Sequence, residues 1–120
     1  KLHLAKNLRS KDGLIVRANL IQKDLKMVVE TLRQKLPDIH AREKIQAGFE
    51  NLAQDFEQKV DELHRQLHIY RELLADKKSE AHARLKKIEC LSIQKELQKS
   101  WKLWKEMVDR FDHQYVLIEH

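Results

Sequence analysis

The sequence predicts an all-α fold, an up-down-up left-handed three-helix coiled-coil bundle, on three observations. Glycine and proline, on which turns depend, are reduced to Gly13, Gly48 and Pro37 in 120 residues, so the chain has few places to reverse. Charged residues make up 36% of it, and Ala, Leu, Glu, Lys, Gln and Arg dominate, which is the composition of long helices. Apolar residues recur at alternating steps of three and four, and no β-branched or aromatic run alternates in twos between turn clusters. A chain of this length builds one core, so residues 1–120 are read as a single domain.

Two breaks divide that domain into helices of about 1–36, 38–76 and 79–119. At KLPDIH, Pro37 has no backbone donor and drives Leu36 out of helical geometry, and Asp38 is placed to cap the second helix. At ADKKSEA, Lys77 and Lys78 suit a helix C-terminus, and Ser79 with Glu80 suits the next N-terminus. The two longer helices would each span roughly 60 Å. Leu4 and Leu8 carry the apolar spacing backwards through Gly13. Glycine inside a helix costs only about 1 kcal/mol, so residues 1–13 are read as helix.

Each segment carries its own apolar stripe. In the first, Leu14, Ala18, Ile21, Leu25, Val28 and Leu32 form an a/d seam. In the second, Ile45, Phe49, Leu52, Phe56, Val60, Leu63, Leu67, Tyr70 and Leu74 do the same, with an extra four-residue step from Phe56 to Val60 that predicts local unwinding. In the third, the stripe runs through Ile93, Leu97, Trp101, Trp104, Val108, Phe111, Tyr115 and Ile118. Leu85 and Ile88 are out of phase with it, which predicts a slip near Glu89–Ser92. Short connections make sequential helices antiparallel. Residues 1–36 hold nine Lys and Arg against three Asp and Glu, and residues 38–76 hold five against nine. Flanking ion pairs between these two helices are therefore expected, each of small value.

Enzymatic chemistry finds no foothold in this pattern. No carboxylate pair, phosphate loop or triad sits on a turn where a cleft could form, and no cofactor is expected. His64 and His68 share a helical face, but a structural zinc site needs four ligands and the pair is not an HExxH motif, so no metal is expected. Cys90, the only cysteine, excludes an internal disulfide and points to a reducing, intracellular compartment. Its neighbours Ile88, Leu91 and Ile93 place it in or near the core. No apolar run reaches membrane-spanning length, and the opening KLHLAKNLRSK has no signal-peptide core.

What remains is binding. The basic stretches KNLRSK and ADKKSEAHARLKK make Arg9, Lys11, Lys86 and Lys87 candidate contacts for an acidic protein partner. A nucleic-acid module with interleaved aromatics is missing, and anionic lipid is a minor alternative. Trp101 and Trp104 share the stripe of Leu97 and Phe111, so both are packing residues whose indole N–H reaches the rim. Leu103 competes with Trp104 for burial. Trp104 is therefore expected to be the more exposed of the two and a candidate partner contact.

Leu14 to His120 is 107 residues, close to one spectrin repeat. The third segment, with Trp101, Trp104 and Tyr115–Leu117, resembles the last helix of such repeats, and LKMVVETL (Leu25 to Leu32) resembles the first-helix motif. Val28 stands where the family usually has a tryptophan. The chain is most similar to divergent repeats of the nesprin, dystrophin or plakin sort. That resemblance implies a rod spacer and docking module of a cytoskeleton-associated protein, with cytoskeletal or scaffold proteins or neighbouring repeats as partners. It implies a cytoplasmic, cytoskeletal or nuclear-envelope setting and makes residues 1–13 a link to a preceding repeat. The alternative is a standalone helical module that dimerises or captures a partner helix.

Overall fold

The computed structural model describes residues 11–116. It contains helices α1 (Lys11–Lys35), α2 (Ile39–Leu74) and α3 (Glu80–Phe111). A 3-10 turn at Lys77–Ser79 precedes α3 and a π-helical turn at Asp112–Val116 follows it. No strand occurs among the described residues. The expected helix over residues 1–10 and the seam residue Ile118 lie outside them.

The helix ends follow from local chemistry. The Leu36 N–H still bonds the Leu32 carbonyl at 2.9 Å, and the chain then leaves the helix before Pro37. Asp38 accepts from the His40 N–H at 3.0 Å, which satisfies one of the free donors at the start of α2. The second connection differs from expectation. Ser79 makes no side-chain cap, because its hydroxyl donates to Asp76 at 3.0 Å. The other Asp76 oxygen accepts from the Lys78 N–H at 3.0 Å. Asp76 therefore holds the turn, and α3 starts without a side-chain cap.

All three helices pack against one another. The α2–α3 contact is the most extensive, and α1 lies mainly on α2 and only lightly on α3. Gln66 meets Lys86, Asp55 meets Ser100 and Phe49 meets Trp104, so following α2 backwards follows α3 forwards. The body measures 62 × 26 × 18 Å, as expected for helices laid side by side along their length.

Two irregularities expected from the sequence are corrected by the burial pattern. In α3, Ala83, Cys90, Leu97, Trp104 and Phe111 are buried at every seventh position. Between them stand half-buried Lys87, Trp101 and Val108 and buried Gln94. The stripe is thus continuous, and no slip occurs at Glu89–Ser92. Leu85 and Ile88 are simply outside it, 62% and 58% exposed. In α2, Ala53 is buried and Leu52 only half-buried, so Phe49, Ala53, Phe56, Val60, Leu63 and Leu67 step 4,3,4,3,4 without the extra step. Both irregularities arose where a large apolar residue flanks a small or polar one that holds the interior position. In α1, Leu14, Ile21, Val28 and Leu32 are buried as expected.

Ion pairs between described residues join side chains three or four apart in sequence, as in Lys59–Asp55, Arg65–Glu62 and Lys86–Glu89. The expected α1–α2 pairs are not among them. Helices are joined instead by packing and by a few hydrogen bonds, such as Ser100 Oγ to Asp55 at 3.4 Å and Lys59 Nζ to Ser100 Oγ at 3.5 Å.

Gln94 is a cost within this core. It is 6% exposed, and its side-chain oxygen has no hydrogen-bond partner. An unsatisfied buried polar group costs about 1–3 kcal/mol. Gln94→Leu keeps the volume and removes that cost, so its unfolding free energy in urea should rise by about that amount. A destabilised Gln94→Leu would show that the amide is satisfied.

Candidate interaction surfaces

Trp104 corrects the expectation attached to it. At 1% exposure it is the largest fully buried side chain, and its indole N–H donates to Asp24 Oδ2 on α1 at 3.0 Å. The heptad position carries the ring into the interior, and Asp24 receives the one polar group that burial would otherwise strand. Leu103 is displaced outward to 43% exposure. Trp104 is therefore no surface contact, and Trp101 is the more accessible indole.

Trp101 sits at a cationic edge. The Arg17 guanidinium lies 5.4 Å and the Lys105 ammonium 5.8 Å from its ring centroid, both within cation–π range. Phe56 packs against it at 6.2 Å. Along the same side, Leu20, Asp24, Trp101, Val108 and Asp112 line an open groove of about 320 Å³ between α1 and α3.

At the end of that groove, partial burial pushes the Asp112 carboxyl above its usual range, and the neighbouring Asp24 and Asp109 carboxylates add to the effect while His113 opposes it. Its place just past the end of α3 is unfavourable to an anion as well, because the free carbonyls there carry partial negative charge. A carboxyl whose pKa is raised on folding weakens the fold once pH rises through that raised value. Asp112→Asn should therefore raise the melting temperature at neutral pH. The gain should fade on acidification, as folded wild type takes up its proton. A gain that persists unchanged at acid pH would assign the effect to something other than charge.

The basic candidates separate in space. Arg9 lies outside the described residues, and Lys11 opens α1. Lys86 is engaged, donating to Gln66 Oε1 on α2 at 2.8 Å and to Glu89 at 3.0 Å. Lys87 is half-buried and lines a cavity of about 470 Å³ at the α2–α3 turn, with Tyr70, Leu74, Lys77, Ala83 and Arg84. This cavity has no clear signal in the sequence, because a lysine does not mark a stripe position by its hydrophobicity.

His64 and His68 share a helical face but not an environment. His68 is exposed and faces Glu72 at 3.2 Å. His64 is half-buried, and its Nε2 is enclosed without a hydrogen-bond partner. No group of three or more metal-ligating side chains forms among the described residues. Cys90 is fully buried, and burial pushes its thiol up, with the Glu89 carboxylate adding to the shift.

None of the helices among the described residues is long and apolar enough to cross a membrane. Compared with known proteins, the chain matches no family model, and no curated protein or solved structure is significantly similar to it.

Proposed function

We propose that this chain is a non-enzymatic structural repeat, an up-down-up left-handed three-helix coiled-coil bundle of the spectrin-repeat kind. On this reading it sets distance along a rod and offers lateral surfaces to cytoskeletal or scaffold proteins. The supporting observation is the continuous three-four burial stripe along α2 and α3, with the buried face of α1 laid on them. A repeat of 3.5 residues, slightly short of the helical period, favours left-handed winding of the helices about one another. Such a core closes within one chain and leaves the flanks for docking.

A second reading has one observation behind it. Ile15, Val16 and Leu20 on α1 are 42%, 56% and 42% exposed, an apolar edge that a second helix could cover. Sedimentation equilibrium separates the two. A mass equal to one chain, unchanged with concentration, is expected of the closed repeat, and a dimer that dissociates on dilution would favour the interaction module. Further segments of about this length and stripe pattern in the flanking sequence would add support for a rod.

A further inference from the structure

We infer that the groove between α1 and α3 takes one amphipathic helix of another protein, apolar along its buried face, basic at one end of that face and acidic at the other. The inference deepens the proposed docking role and rests on it. The groove is the open seam of the bundle, because α1 lies mainly on α2 and only lightly on α3. Its lining runs from Leu20 to Asp24 on α1 and from Trp101 to Asp112 on α3, all within the described chain. Asp24 meets Trp104 and Lys35 meets the Tyr115 carbonyl, the same separation in sequence both times, so the two helices run side by side in one direction. Leu20, Trp101 and Val108 supply the apolar floor. Leu20 is 42% exposed, and Trp101 and Val108 are half-buried.

Charge decides the occupant. The Arg17 guanidinium and the Lys105 ammonium both lie over the Trp101 ring, which gathers positive charge at that end. Asp109 and Asp112 line the other end, about 12–17 Å farther along α3. Asp24 and Asp109 already raise the Asp112 carboxyl, a crowding of like charge that a cation relieves. That end repels phosphates, which sets nucleic acid and anionic lipid aside. A carboxylate and a cation two to three helical turns apart on one face answer both ends at once. The occupant's backbone must be satisfied as well. Two packed helices have no free strand edge to offer an extended chain, so the segment that fits is one that bonds its own backbone. About three turns of helix span the groove, with apolar residues at three-four spacing between the charges.

The test uses the whole chain labelled with nitrogen-15 and three synthetic helical peptides of about 18 residues, long enough to hold a helix. All share one leucine face. The first carries arginines at one end of that face and glutamates at the other, the second glutamates at both ends, and the third arginines at both ends. The mixed peptide should shift the amide resonances of Leu20, Lys105, Val108 and Asp112, leave those of Ile39 and His40 in place, and bind at least about tenfold more tightly than either single-sign peptide. Lys105 is exposed, so Lys105→Glu should keep the fold, which circular dichroism checks. It should weaken the mixed peptide and strengthen the all-basic one, each by about threefold or more. Equal or tighter binding of the all-acidic peptide, which the net charge of +5 favours without any groove, overturns the proposal. No shift at these four residues, or no change of preference in Lys105→Glu, overturns it too. Shifts at the groove on concentrating the chain without peptide would assign it to a second copy and overturn it likewise. Failure here leaves the closed repeat standing, since that reading is judged by sedimentation and flanking sequence.

Discussion

Trp104→Ala should remove about 3–5 kcal/mol of unfolding free energy, a large part of the 5–15 kcal/mol typical of a small domain. The indole is 1% exposed, meets Phe49 edge-on at 5.5 Å and reaches α1 through Asp24. Truncation therefore opens a cavity between α2 and α3 and removes the indole donor from the half-buried Asp24 carboxylate of α1 in the same step. Urea titration followed by circular dichroism measures the loss. Trp104→Phe separates the two contributions, since it keeps much of the packing and removes only the N–H donor. Its cost should be about 1.5–3 kcal/mol at most, the range for a hydrogen bond to a charged group. Trp101→Ala supplies the comparison, because that ring is only half-buried and is flanked by the Arg17 and Lys105 side chains. It should cost clearly less than Trp104→Ala, and the reverse order would mean that the two indoles have been assigned to the wrong faces.

These two tryptophans also mark how far the sequence could be read. Their spacing shows that both belong to one apolar stripe, but three-four alternation does not say which member points to the axis and which to the flank. Asp24 decides the matter by accepting the Trp104 N–H, and nothing in the local sequence distinguishes it from a solvated aspartate. The helices themselves were legible, since Pro37 and Asp38 act through their own backbones and immediate neighbours. Phase was harder to read. Ala53 and Gln94 hold interior positions while Leu52 and Ile93 flank them, and hydrophobicity alone picks the larger neighbour. The same ambiguity hides Lys87. Once Gln94 is set in the stripe, Lys87 falls one heptad before it, and its place beside the cavity follows.

Phe49→Ala should be as costly as the loss of Trp104, about 3–5 kcal/mol, for a different reason. Phe49 is the α2 residue around which the aromatics of α3 gather. Its ring meets Trp104 at 5.5 Å and 88°, and Phe111 at 5.7 Å and 83°. Edge-to-face pairs of this kind add about 0.5–1.5 kcal/mol each beyond buried area. Phe111 in turn packs on Tyr115 at 4.8 Å, and the Tyr115 carbonyl accepts from Lys35 at the end of α1. One ring on α2 thus supports the end of the molecule where α1 and the π-helical turn meet. Two measurements test this. In a double-mutant cycle, Phe49→Ala and Phe111→Ala should couple by at least about 0.5 kcal/mol, whereas Phe49→Ala and the distant Cys90→Ala should add independently. Hydrogen exchange should show amides 104–116 of Phe49→Ala losing protection more than those around the α2–α3 turn, because local opening follows the contacts removed. Uniform loss along all three helices, with no coupling to Phe111, would show instead that the aromatics act as separate core residues and that the bundle opens only as a whole.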